Sequence, residues 1–304
     1  MTDIPDDPRK FAAARPMPAI LAAPPPRAAM LRSLRRHPTM WMGGVLLGAV
    51  VLMAVFAPLI ATHDPATLNP AQRVRPPSAE ALFGTDMLGR DIFSRCVYGA
   101  RVSLIVGLGV ALLASAVGMV IGLVAGFTRW ADGIIMRIMD GMMSIPAILL
   151  AIALMTLMRG GSIFNVILAI TLAEIPRVAR LTRSAVLSVR ELAYVEAAVA
   201  CGTSRTGIIR QHILPNTLAP ITVQATYICA SAMITEAILS FIGAGLPTSI
   251  PSWGNIMAEG RALWQVKPSI VFFPAIFLSL TVLAVNLLGD GLRDAVDPRL
   301  AKRV

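Results

Sequence analysis

The stretch VSLIVGLGVALLASAVGMVIGLVAGFT, residues 102–128, contains no charged side chain, and its reading decides the fold. A bilayer core about 30 Å thick takes roughly 20 apolar residues in helical form. This run exceeds that length, and the composition around it agrees. Of 304 residues, 56% are hydrophobic and 14% charged, with a mean hydropathy of +0.72. A water-exposed chain carries about 25% charged residues. The deficit is concentrated in long uncharged runs, and the charges lie between them. The chain reads as an integral membrane protein.

Working outward, six runs are long enough to span: 41–61, 102–128, 141–158 with Pro146 inside it, 160 to about 178 interrupted by Glu174 and Pro176, about 217–242 with Glu236 near its far end, and 268–289. The expected fold is therefore an all-α polytopic membrane protein of six transmembrane helices. Forty residues precede the first run, and it outlasts the 7–15 apolar residues of a secretion signal, so it is expected to remain as an anchor. The tail 1–38, with Pro24, Pro25 and Pro26, has too little periodic apolar surface to fold alone and is expected to be disordered. The expected plan then gives the first helix and an external loop to 39–100. A transmembrane core with a loop at 180–216 takes up 101–291, and a second cytoplasmic tail 292–304. With both termini inside, nineteen of the 27 basic residues fall on the cytoplasmic side and eight outside. That bias predicts an N-in, C-in orientation.

The basic excess, net charge +10, would suggest nucleic acid in a soluble protein. Here the arginines flank apolar runs without interleaved aromatics, so orientation explains them and no nucleic-acid partner is expected. Cys96, Cys201 and Cys229 have no CxxC spacing and are assigned to packing. No lysine follows a glycine, so no phosphate-binding loop is present in the chain. His37, His63 and His212 are scattered, which leaves no metal site, and no GxSxG elbow supplies a catalytic nucleophile. No catalytic residue and no cofactor of the chain's own is expected.

Between the fourth and fifth runs, residues 190–202 read as a short surface helix. Tyr194, Val195, Ala198 and Val199 recur on one face, and Arg190, Glu191 and Glu196 lie elsewhere. Its small residues Ala197, Ala198, Ala200 and Gly202 allow close approach to a neighbour, and Gly202 stands where a left-handed helix ending is needed. Ile213-Leu214-Pro215-Asn216 then leads into the fifth run, and the proline suggests a break there. In Glu196-Ala197-Ala198, Gly202 and Ile213, Leu214, Pro215 the chain resembles the permease subunits of bacterial ABC importers, which carry this loop signature.

Two further stretches resemble one branch of those permeases, the second permease of dipeptide and oligopeptide importers. One holds Gly84, Asp86, Gly89, Arg90 and Asp91, and the other runs 235–243 with Pro251-Ser-Trp-Gly254 after it. The family has a second proline beside Pro247, where Thr248 stands here. The resemblance covers roughly 39–300 and implies a type I ABC importer permease fold in a bacterial inner membrane. It also implies a coupling helix near 190–210 docked on one or two cytoplasmic ATPases that bind ATP and Mg, a homologous permease as heterodimer partner, and an external solute-binding protein. The same architecture importing nickel or glutathione is the alternative cargo, and an ATP-independent structural or receptor-like membrane protein is the alternative class.

Three features keep two readings. Gly84, Asp86, Gly89, Arg90 and Asp91 form either an ion-paired turn or a contact with cargo. Glu236 and Glu174, costly as ions in a bilayer, face either a translocation path or an interfacial ion pair. Ala114, Gly118, Gly122 and Gly126 recur every four residues, the pattern of closely packed membrane helices, and the facing helix belongs either to this chain or to another.

Overall fold

The computed structural model describes residues 38–158 and 161–296. The expected disordered tail (save Pro38), the start of the fourth expected span at Gly160 and the end of the C-terminal tail, 297–304, lie outside those residues. In chain order the helices are α1 (Pro38–Val55), α2 (Ala57–Ile60), α3 (Ile92–Phe127), α4 (Arg129–Met143), α5 (Ala147–Leu157), α6 (Ile163–Arg190), α7 (Ala193–Ala200), α8 (Arg205–Ile208), α9 (Leu214–Ile242), α10 (Trp253–Gly260) and α11 (Ser269–Val296). Among the described residues there is no strand, only an isolated bridge between Thr85 and Asp91.

Four helices are long and apolar enough to cross a bilayer: α1, α3, α11 and the continuous helix Arg205–Ile242 that contains α8 and α9. Counting α4 and α5 as one broken span makes five. The third expected span, 141–158, is therefore corrected. It is interrupted at Ser144–Pro146, and the two helices meet at 91°. Pro146 offers no N–H, and its ring drives Ile145 out of helical geometry. The 11 residues of α5 rise about 16 Å, half a bilayer core. The fourth expected span also changes, because α6 runs on to Arg190 and bears Glu174, Arg177, Arg180 and Arg183. The loop expected at 180–216 shrinks accordingly.

α3 starts ten residues before the uncharged run that announced it. The Asp91 carboxylate caps its N-terminus, accepting from the Ser94 amide at 2.9 Å, which satisfies one of the unpaired N–H groups of the first turn. Its 36 residues extend about 54 Å, well beyond a bilayer core. The same cap ties down the end of the first span, since Thr62 Oγ1 donates to Asp91 at 2.9 Å.

α3 and α6 form the most extensive pairing in the bundle, and the glycine row of α3 is the reason. A Cβ added at Gly118 would stand 2.6 Å from Val178 Cβ, at Gly122 2.5 Å from Ala179 O, and at Gly126 2.7 Å from Val186 Cγ1. The facing helix is thus within this chain. Val106, Val110 and Ala114 of α3 meet Val166, Ala169, Ile170 and Val178 of α6 in the main core, which Ile228, Ala232 and Met233 of α9 complete. Ion pairs finish the job at one end. Arg183 grips the Asp132 carboxylate of α4 with two nitrogens, and Arg180 reaches Asp140 at 2.5 Å. Arginines read as orientation charges therefore also fasten α4 to α6.

After the fifth span the chain forms α10, which packs into the bundle. Trp253 and Ile256 are fully buried against α3, α9 and α11, and Trp253 Nε1 donates to Cys96 O at 2.9 Å. Gly254 sits so close to α9 that a Cβ would meet Ala237 backbone at 2.7 Å.

Candidate functional site

Three places bring the residues singled out above together: the α6–α9 connection, the loop before α3, and a cleft among α5, α6 and α9.

In the connection, α7 carries Tyr194, Glu196, Ala197 and Ala198. It ends at Gly202 with φ +81°. The Gly202 amide donates to Val199 O and the Thr203 amide to Ala198 O, both at 3.0 Å. That pairing is the Schellman ending, which needs a residue in left-handed geometry. An added Cβ at Gly202 would meet nothing, so the glycine is required for its φ and not for space. The amphipathic face read from sequence is corrected. Only Val195 is buried, at 2% exposure, whereas Tyr194 and Val199 are 39% and 58% exposed. Little more than two turns of helix dock through a single buried side chain.

Val195 enters a cluster with Val186 of α6, Ile208 of α8 and Ile213, with Leu123 and Phe127 of α3 packed beside it. A truncation Val195→Ala should cost about 1–2 kcal/mol and loosen α7 before anything else. Hydrogen exchange over 193–200 should quicken while that of α3 and α6 stays unchanged. Tyr194 is tied to the next helix: Asn216 Nδ2 donates to its hydroxyl at 3.3 Å, and the His212 ring lies 5.8 Å from its ring. Sequence reading gave His212 and Asn216 no role at this helix, and it placed a break at Pro215 where none exists. Ile209–Ile213 is a π-helical turn leading without interruption into α9. The wider turn accommodates a proline that can neither donate nor tolerate a standard preceding carbonyl. Leu214 and Pro215 are the first residues of α9, and Ile213 is buried.

Before α3, the Asp86 carboxylate accepts from the amides of Leu88 and Arg90 at 2.8 and 2.9 Å, from Arg90 Nε at 2.7 Å and from Arg95 Nη1 at 2.5 Å. Both arginines also contact Glu259 of α10. Asp86, Arg90 and Arg95 are nearly inaccessible. Two acids and two arginines make a neutral buried set, the condition under which such charges are tolerated. Asp86 and Arg90 thus sit in an ion-paired turn, and Asp91 caps α3. Gly84 and Gly89 shape it with φ +78° and +76°, and a Cβ on Gly89 would fall 1.8 Å from Asn69 O. Arg95 and Glu259 were not foreseen, although in a chain so poor in charge every buried-run ion needs a partner. Lys267 pins the same loop by donating Nζ to Val74 O at 2.6 Å, and partial burial lowers its ammonium pKa.

The cleft has a volume of about 500 Å³ and includes Glu174, Arg177, Tyr227 and Asn286 in its walls. Glu174 is 4% exposed, and Arg177 Nη1 lies 3.0 Å from its Oε2. Glu236 is fully buried, outside these walls, and accepts from Ser240 Oγ at 2.8 Å. Among the described residues no three of His, Cys, Asp and Glu converge on a common metal position.

Long apolar helices around buried ions, an exposed helical loop and a cleft with a few charged groups in largely apolar walls describe a multi-pass membrane protein. Residues 118–302 match the family of binding-protein-dependent transport system inner membrane components, and residues 26–77 the N-terminal transmembrane domain of oligopeptide transport permease C. The chain belongs to this ABC permease family. It is 52% identical over 274 residues to a probable peptide ABC transporter permease protein, y4tQ, of Sinorhizobium fredii, covering 90% of this chain and 94% of that one. It is 43% identical to the dipeptide transport system permease protein DppC of Alkalihalophilus pseudofirmus, covering 88% of each. In fold it is similar to a chain of the MetNI methionine ABC transporter in inward-facing form, with TM-score 0.58, 20% identity, and coverage of 68% of this chain and 98% of that one.

Proposed function

We propose that this chain is one of two permease subunits of an ATP-driven importer of dipeptides and short oligopeptides in a bacterial inner membrane. The match to peptide permeases over nine tenths of its length carries the cargo class. In this reading six crossings leave both termini in the cytoplasm, with α4–α5 as one broken crossing and α6 as another. The charges of α6 are compatible with a crossing because Glu174, Arg180 and Arg183 are paired to protein groups.

The chain contributes no ATP site. Hydrolysis, with ATP and Mg, belongs to one or two cytoplasmic ATPases that grip α7. Support for that docking comes from its surface: Leu192, Tyr194 and Val199 project from a helix held by one valine. Val195 links any displacement of α7 to α3, α6 and the start of α9, so closure of the ATPases has a mechanical route into the bundle. Coupling is then the preference of the closed ATPase dimer for one of two bundle arrangements. An external solute-binding protein delivers cargo to the opposite face, and a homologous permease completes the path.

The test is Gly202→Val or Glu196→Lys in the assembled complex, with membrane insertion and peptide-stimulated ATP hydrolysis measured side by side. Insertion should persist and stimulation should fall at least about tenfold, the range of a typical coupling free energy. Full stimulation in both variants would remove the docking role.

A further inference from the structure

A second hollow of about 400 Å³ has Leu181, Gln224 and Arg293 in its walls, and Tyr227 belongs to the walls of both. Tyr227 donates its hydroxyl to Asp290 Oδ1 at 2.5 Å. Two short motifs of one kind therefore mark a track of two hollows that share Tyr227: Glu174-Ile-Pro-Arg177 on α6, in the walls of the first, and Asp290-Gly-Leu-Arg293 on α11, whose Arg293 is in the walls of the second while the exposed Asp290 holds Tyr227. Each puts a carboxylate and a guanidinium three residues apart, on neighbouring positions of a helix surface. The remaining walls are largely apolar, with Ile148, Ile234 and Ile238 among them.

This pattern selects by charge. A track lined with only carboxylates would suit cations, and one lined with only arginines would suit anions. Here each carboxylate is matched by an arginine, so the complementary solute is net neutral and carries both signs. Glu174 and Arg177 are also poised to exchange partners. Their atoms stand 3.0 Å apart, yet Glu174 Oε2 lacks an aligned hydrogen bond, and the Arg177 side chain is 52% exposed. Opening the pair to a zwitterion replaces one neutral set by another and leaves no uncompensated ion in the bundle.

We propose that this track recognises the two charged termini of a short peptide, Glu174 taking the α-ammonium and Arg177 the α-carboxylate, with Asp290 and Arg293 as the next station. The inference rests on the peptide-import reading and goes beyond it in assigning recognition to the permease as well as to the solute-binding protein.

The experiment uses the assembled complex in nanodiscs without its solute-binding protein and measures binding of dialanine, N-acetyl-dialanine and dialanine amide. The wild-type complex should favour dialanine over each blocked form by about tenfold, as expected for one charge-assisted hydrogen-bonded contact. Glu174→Gln should erase the discrimination against the acetylated form alone, and Arg177→Gln the discrimination against the amide alone. Equal binding of all three by wild type, a uniform loss in both variants, or failure of the variants to assemble with the second permease would overturn it. Uptake of dialanine in proteoliposomes with the solute-binding protein present separates the two readings. Uptake without terminus-dependent binding sinks the track alone, and no uptake at all sinks the peptide-import reading with it.

Discussion

Gly122→Leu is expected to prevent the bundle from forming. An added Cβ alone at this position lies 2.5 Å from Ala179 O and from Thr182 Cβ, and the first of these is backbone that cannot rotate away. Gly122→Ala should therefore cost about 1–3 kcal/mol, the usual penalty of overpacking. Leucine adds three more carbons at the centre of the most extensive helix pair and should abolish the monodisperse, heat-cooperative species altogether. Gly133→Ala on α4 is the contrasting case. No atom lies within 4 Å of its added Cβ, so the gain in helix propensity should leave stability unchanged or raise it by about 0.5–1 kcal/mol. Thermal unfolding and size-exclusion profiles of detergent-purified protein distinguish these outcomes. A wild-type melting curve for Gly122→Leu would show that α3 and α6 do not meet along this row.

Asp86→Ala is expected to be the next most damaging change. It removes the acceptor of four hydrogen bonds and leaves two buried arginines facing Glu259 alone. Breaking a buried ion pair by removing one partner costs about 3–5 kcal/mol. The loss should be insensitive to salt, because mobile ions do not reach the set, whereas an exposed pair would be screened. Joint replacement Arg95→Met with Glu259→Met should cost clearly less than the two single changes added together, since it removes opposite charges at once. Additive single and double effects would mean that the two residues do not interact.

Much of the architecture was legible because the hydrophobic signal is strong and local. The run 102–128 lies wholly within α3 apart from its capping residue Thr128, and Gly202 stands at the left-handed ending that its position after α7 suggested. Helix ends were less legible. Charged residues at 92–101 and 180–190 looked like loop, yet they are helical: Arg95 is buried and paired with Asp86 and Glu259, and Arg180 and Arg183 pair with Asp140 and Asp132 of α4 at a partly exposed surface. The bend at Pro146 escaped the count of spans because hydropathy averages over a proline. The exposure of α7 was misread because alternating apolar residues look alike whether a helix docks by a whole face or by Val195 alone.

The ionic sites depended still more on contacts distant in sequence. Asp86 and Arg90 are neighbours in the chain, but Glu259, which pairs with Arg90 and Arg95, lies on a helix that no local pattern connects to them. Likewise Glu174 and Asp290 come from separate helices and are related only through Tyr227, which shares the cleft walls with Glu174 and donates to Asp290.

The amino-acid sequence by itself determined that this protein lives in a membrane, which segments are helical at their centres, and which loop carries the permease signature, since burial in lipid and backbone chirality act residue by residue. Tertiary structure alone decided which glycine faces which helix, which ions neutralise one another and which carboxylate borders a cleft. Those outcomes depend on helix rotation and approach, and packing sets both between segments far apart in the chain.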